Sequence, residues 1–240
     1  MAMRFDEGID EDRSPGAIHL RFDALILDFD GVLLESEYAG NAQIADWLTR
    51  NGHPTTTQQA MDRFMGLSGL DFFGAVERWI GRALPDDFHD ARAAEDRRAV
   101  EEGIAAVEGA IAFVRGLPPE LPKAICSSSA SYWVESHLRN LGLDALFAGR
   151  VFSGKEHVAR GKPAPDLYLH AAAALHVPIH RILIIEDSPV GVQGALASGA
   201  TVLGLVAGSH CGPDHEAQLR ELGVTHIARD FDEVAAFLHE

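Results

Sequence analysis

Short apolar runs recur along this chain, each ends on a polar residue, and most are followed by a helical pattern. Residues 22–29 (FDALILDF) close on Asp28 and Asp30. Residues 122–126 (PKAIC) lead into Ser127, and residues 150–153 form a shorter run. Residues 181–185 (RILII) end at Glu186 and Asp187, and residues 201–206 and 225–228 continue the series. Runs this short and this apolar are buried strands. Helical patterns fill 130–141, 165–175 and 189–198. The last two start on Pro165 and Pro189, where a missing N–H costs nothing in a first turn, and the last stops at Gly199. Strands alternating with helices predict an α/β fold, a parallel sheet flanked by helices on both faces.

One interval breaks the rhythm. Asp30 and Ser127 stand 97 residues apart, whereas a β–α–β crossover needs about 30. Ser127 to Lys162 and Lys162 to Asp187 are 35 and 25 residues, ordinary crossover lengths. The long interval carries helical spacing throughout (AQIADWLTRNG, TTQQAMDRFMG, GLDFFGAVERWIG, DDFHDARAAEDRRAVEEG) and no strand pattern. The expected organisation is a core built from residues 17–37 and 106–240 with a helical cap inserted over 38–105. An insert leaving the carboxyl end of a strand sits over the ligand crevice of an open α/β sheet, where it is placed to act as a lid. Residues 1–16 read as a flexible acidic tail without the apolar stretch of a signal peptide.

With 47% hydrophobic and 23% charged residues in 240, the chain has ample apolar surface for a core. No run approaches the ~18 apolar residues of a membrane span. The net charge of −16 argues against a nucleic-acid or anionic-membrane partner. Cys126 and Cys211 read as reduced thiols of a cytoplasmic protein. Lysine is scarce, with three in the chain, at 123, 155 and 162.

Asp28 and Asp30 sit two residues apart on a strand and face the same way. Two adjacent carboxylates repel unless a cation neutralises them or one is protonated. Gly31 behind them permits a sharp turn. Glu186 and Asp187 form a second acidic pair after an apolar strand, and Asp187 or Ser188 is a candidate cap for the helix that follows. Oxygen-only ligands at two strand ends suit a hard cation such as Mg²⁺. Ser127 opens a run of small hydroxyls (SSSAS) that offers donors to an anion. Lys162, between Gly161 and Pro163 with Pro165 beyond, is mounted on a stiff loop. Together these groups describe phosphoryl transfer. One carboxylate attacks phosphorus and a second moves the proton. A cation, a lysine and a hydroxyl neutralise the phosphoryl oxygens.

These motifs (DFDGV with trailing ESE, strand-end Ser127, GKPAPDLYLHAAAALHV and IIEDSPVGVQGALASGA) resemble the haloacid dehalogenase-like hydrolase superfamily over residues 22–228. The resemblance is strongest to the β-phosphoglucomutase-like branch with a helical cap, which includes sugar-phosphate phosphatases. It implies a Rossmann-like core, Asp28 as nucleophile and Asp30 as general acid/base. Ser127, Ser128 and Lys162 would bind the phosphoryl group. Mg²⁺ would be held by the Asp28 carboxylate, the Asp30 carbonyl and Asp187, with Glu186 a direct or water-mediated partner. The implied function is a Mg²⁺-dependent phosphatase acting on a small phosphate ester, a sugar or sugar-acid phosphate, through an aspartyl-phosphate. A monomer is the default for this architecture.

The alternatives are a phosphosugar mutase and a non-catalytic phosphate-binding regulator. Asp30 speaks against carbon–halogen cleavage, since halide needs no proton. The cap has no lysine for the Schiff base of the family's phosphonatases. The mutases carry a cap histidine twelve residues after the nucleophile, and here that position is Gly40. The stretch aligned around Gly66 (Met65, Leu67, Ser68, Gly69) offers little charge for a second phosphate. Arg63, Arg78 and Arg82 are expected near the cleft mouth, and Phe72, Phe73 and Trp79 in the cap's own core. Gly161-Lys162 is not a nucleotide-binding loop, since Pro163 stands where Ser or Thr is needed. His210, Cys211 and His215 (GSHCGPDH) invite a metal reading, but a local trio without a fourth ligand is a weak one.

Overall fold

Alternate residues of each strand face opposite sides of a six-stranded parallel sheet, and both sides are covered. In the computed structural model, which describes residues 20–65, 67 and 69–239, β1 (Ala24–Leu27) lies at the centre. On one side lie β2 (Lys123–Ser127) and β3 (Val151–Ser153), and on the other β4 (Ile182–Glu186), β5 (Thr201–Leu205) and β6 (His226–Ala228). The strand order is β3-β2-β1-β4-β5-β6. Every residue of β1 is buried, as a central parallel strand between two helical layers requires.

The helices follow from these two faces. Leu25, Leu27, Ile125, Leu183, Ile185 and Leu203 turn towards α5 (Ala110–Gly116), α6 (Ser131–Leu141) and α10 (Phe231–His239). Ala24, Ile26, Ala124, Ile182 and Ile184 turn the other way, towards α7 (Asp166–Leu175), α8 (Pro189–Ser198) and α9 (His215–Glu221). Helices α5, α9 and α10 have no counterpart in the sequence reading. They span seven to nine residues, too short to show several turns of apolar periodicity.

Between β1 and α5 run four helices and no strand among the described residues: α1 (Ser36–Arg50), α2 (Thr57–Phe64), α3 (Gly69–Ile80) and α4 (Phe88–Glu102). Helix α1 begins ahead of the expected position 38, so Ser36 and Glu37 belong to the first turn of the insert. Helix α2 opens with a reciprocal cap, in which Gln59 N donates to Thr56 Oγ1 (3.1 Å) and Thr56 N to Gln59 Oε1 (2.9 Å). The insert has its own apolar cluster, in which Ile44, Trp47, Leu48, Phe64, Val76 and Phe88 are buried. Phe72, Phe73 and Trp79 pack against it, as expected. The chain enters and leaves the insert side by side. Leu34 bridges Ala106, Glu35 N donates to Ala105 O (2.9 Å), and Val107 N donates to Leu33 O (3.1 Å). The tail 1–16 and positions Gly66 and Ser68 lie outside the described residues. No helix among the described residues is long and apolar enough to cross a membrane.

Phe88 is fully buried and meets the Trp47 ring edge-on at 4.8 Å. Phe88→Ala should cost the insert about 3–5 kcal/mol. Hydrogen exchange should show amides of α1–α4 losing protection while those of β1 and β4 keep theirs.

Candidate active site

Strand order reverses at β1, and the carboxyl ends on either side of such a point frame a crevice. Asp28 follows β1, Ser127 ends β2, Glu186 ends β4 and Asp187 follows it, and all four are buried. The loop before α7 brings in Lys162, whose side chain is only 3% exposed. Its ammonium donates to Asp28 Oδ1 and, at 2.6 Å, to Glu186 Oε1. Glu186 is held from every side. Oε1 also accepts from the Tyr168 hydroxyl (2.9 Å), and Oε2 from Ser188 N (2.9 Å) and Ser188 Oγ (3.0 Å).

Burial alone would lower the pKa of Lys162, but Asp28 and Glu186 hold it well above its ordinary range. Burial pushes the Asp28 carboxyl up, with Lys162 opposing. Burial and the charge of Glu186 push Asp187 up in the same way. One ammonium is thus set against three buried carboxylates, and two of the three are driven towards taking a proton. An oxygen of each lies within 4.8 Å of the others. Asp187 Oδ1 is buried without a hydrogen-bond partner among the described residues. An all-oxygen set short of positive charge, with one carboxylate oxygen to spare, fits a hard divalent cation such as Mg²⁺.

Ser188, not Asp187, caps α8, its Oγ accepting from Gly191 N at 3.0 Å. That leaves the Asp187 carboxylate free to stand beside those of Asp28 and Glu186. It is steadied from behind, where His210 Nε2 lies 2.8 Å from Oδ2 and His215 Nε2 donates to the Asp187 carbonyl at 2.6 Å. Gly31, at φ +86°, passes so close that a Cβ there would fall on the Asp187 carboxylate.

Asp30 faces a ring of four donors. Oδ1 accepts from Ser36 Oγ (2.7 Å) and Trp133 Nε1 (3.1 Å), and Oδ2 from Ser127 Oγ (3.0 Å) and Ser129 Oγ (2.7 Å). Ser127 Oγ also accepts from Ser129 N at 2.9 Å. The expected phosphate ligand Ser127 therefore reaches the site with its hydroxyl proton engaged by Asp30, while Ser128 is exposed beside it. Asp28, Asp30, Ser128 and Lys162 open into one cleft of about 450 Å³, to which the insert contributes Glu37 and Asp96. A larger groove of about 710 Å³, bordered by α1 and α4, contains none of these groups. Arg63, Arg78 and Arg82 do not line the cleft, contrary to the expectation. Arg63 instead stacks on Trp79, 4.1 Å from the ring centroid.

A model of the haloacid dehalogenase-like hydrolases matches residues 22–199. The chain belongs to that family. It is 31% identical over 191 residues to hexitol phosphatase A of Escherichia coli K12, covering 78% of this chain and 85% of that one. It is 26% identical over 213 residues to the 6-phosphogluconate phosphatase of the same organism, covering 84% and 95%. A haloacid dehalogenase-like hydrolase of Deinococcus radiodurans, solved with bound phosphate and sodium, superposes with a TM-score of 0.80 at 32% identity, covering 91% and 95%. A haloacid dehalogenase-like protein of Agrobacterium tumefaciens superposes at 0.81 with 30% identity, covering 90% and 96%.

A Cβ on Gly191 would fall on the Glu186 carboxylate, which four hydrogen bonds from Lys162, Tyr168 and Ser188 prevent from moving alone. Gly191→Ala should therefore disturb Lys162 as well. We expect a stability loss of about 1–3 kcal/mol, measured by thermal denaturation, in a variant with near-wild-type helix content.

Proposed function

We propose that this member of the haloacid dehalogenase-like hydrolases is a Mg²⁺-dependent phosphatase that cleaves a small phosphorylated metabolite, a sugar or sugar-acid phosphate, through an aspartyl-phosphate. One observation carries the reading: Asp28 is buried at a strand end with its carboxylate on the Lys162 ammonium, beside the hydrogen-bonded Asp30. The names of the Escherichia coli relatives, 6-phosphogluconate phosphatase and hexitol phosphatase A, support the substrate class.

In this reading Asp28 Oδ attacks phosphorus as the ester P–O bond breaks, and Asp30 passes a proton to the departing oxygen. Asp30 then takes a proton from water as that water attacks the aspartyl-phosphate, releasing phosphate and restoring Asp28. Lys162, Ser127 and Ser128 hold the phosphoryl oxygens. A phosphoryl oxygen would draw the Ser127 hydroxyl from Asp30, leaving Asp30 three of its four donors. Asp28, the Asp30 carbonyl and Asp187 would hold Mg²⁺, with Glu186 taking part directly or through water while it fixes Lys162. When bound, the ion offsets negative charge on the phosphoryl group. Residues 38–105, together with the first turn of α1, serve as a cap that shields the reaction from water and reads the leaving group through α1 and α4.

A mutase must seat a second phosphate, and here the insert offers the cleft Glu37 and Asp96, while the further cation lining it, Lys155, stands on the core side. Both carboxylates would repel it, and Gly40 replaces the mutase histidine.

Purified protein with Mg²⁺ should release phosphate from p-nitrophenyl phosphate and from some members of a broad metabolite panel. No release from any of them would sink the proposal, and ligand binding without turnover would point to a regulator instead. EDTA should abolish turnover and excess Mg²⁺ restore it. Asp28→Asn should lower kcat by about 10⁴-fold or more, and Asp30→Asn by about 10²–10⁴-fold.

A further inference from the structure

The GSHCGPDH segment, which the phosphatase reading does not use as a whole, forms a compact donor cluster. It follows β5 and runs into the first turn of α9. His210 and His215 are buried and Cys211 is half-buried. One nitrogen or sulfur from each of the three lies within 4.8 Å of the other two. Zn–S and Zn–N bonds of ~2.3 and ~2.0–2.1 Å at a tetrahedral angle place sulfur and nitrogen roughly 3.5 Å apart. Cys211 Sγ lies 3.5 Å from His210 Nε2. The two imidazoles meet edge to face with centroids 5.6 Å apart. The His210 ring is confined between backbones, since a Cβ on Gly31 or Gly208 would come within 2.9 or 2.6 Å of its Cε1. The segment's own carboxylate, Asp214, is exposed and stands outside the cluster. A carboxylate from beyond β4 reaches the edge of the cluster, Asp187 Oδ2 lying 2.8 Å from His210 Nε2.

We infer that His210, Cys211 and His215, completed by Asp187, form a second metal site selective for thiophilic divalent cations such as Zn²⁺. Two imidazoles, a thiolate and a carboxylate are the donors such ions prefer and that Mg²⁺ does not. On binding, the Cys211 thiol proton passes to solvent and sulfur takes its place on the metal. Each histidine exchanges its contact with Asp187 for a bond to the metal. Asp187 is also the carboxylate whose other oxygen, Oδ1, is free in the hard-cation site, so an ion that pulls on Oδ2 shifts the ligand Mg²⁺ would use. A thiophilic ion drawing Asp187 towards the histidines withdraws it from Mg²⁺, making the cluster an inhibitory site.

Co²⁺ titration of the full chain in excess Mg²⁺ tests this without substrate, and so independently of the phosphatase reading. The expected result is one Co²⁺ per chain with a thiolate-to-cobalt charge-transfer band that Zn²⁺ abolishes and that Cys211→Ser lacks. Zn²⁺ should also slow alkylation of Cys211 in the wild-type chain, read by mass spectrometry, which requires no variant. In turnover assays Cys211→Ser should raise the Zn²⁺ concentration needed for half-inhibition by at least about tenfold. Co²⁺ bound without a sulfur band, a band that survives in Cys211→Ser, or alkylation indifferent to Zn²⁺ would each overturn the inference.

Discussion

The ammonium of Lys162, buried between Asp28 and Glu186, is the contact on which the rest of the site depends. A charge in that position is tolerated only while its partners are in place, and removing one partner of a buried pair typically costs about 3–5 kcal/mol. The surrounding structure keeps them there. Tyr168, from the core face of α7, and Ser188, the cap of α8, fix Glu186. Asp28 N donates to Ile185 O at 3.0 Å, which locks the end of β1 to β4. Because Ser188 supplies the helix cap, the neighbouring Asp187 is released from that duty. A single choice of capping residue thus separates a structural role from a chemical one.

In the proposed reaction, the reacting groups and those that face the leaving group come from different parts of the molecule. Asp28, Asp30, Ser127, Lys162, Glu186 and Asp187 all stand on the sheet or its loops. The insert brings Glu37 and Asp96. Asp30 sits at the junction, accepting from Ser36 at the start of α1 as well as from Ser127, Ser129 and Trp133 on the core side. Its orientation therefore registers whether the first turn of the insert is in place.

The six main positions of the candidate site were legible because each ends an apolar run or sits on a proline-stiffened loop, and because two acidic pairs at strand ends exceed what one helix cap requires. The supporting residues gave no such signal. Tyr168 and Trp133 lie on amphipathic helices and read as packing. Ser36 and Ser129 are small polar residues at places where such residues are common. His210 and His215 matter through Asp187, which is distant in sequence, and only the adjacency of β4 and β5 brings them to it. The arginines of the insert misled because charge within an insert says little about which face meets the cleft, and Arg63 is taken up by Trp79. For the fold, strand positions followed from apolarity, while the short helices α5, α9 and α10 are held by packing more than by periodicity.

The paired linkers at Leu34 and Ala106 have a consequence for how such a chain can change. The insert leaves and rejoins the core at neighbouring points, so the sheet experiences it as an enlarged surface loop. The entropic cost of such a loop grows only with the logarithm of its length. Its size and internal packing are therefore weakly constrained by the core, provided the two linkers still meet. On the proposed reading, a whole recognition unit can be exchanged, shortened or rebuilt above an unaltered set of reacting groups, which uncouples the history of substrate choice from that of the chemistry.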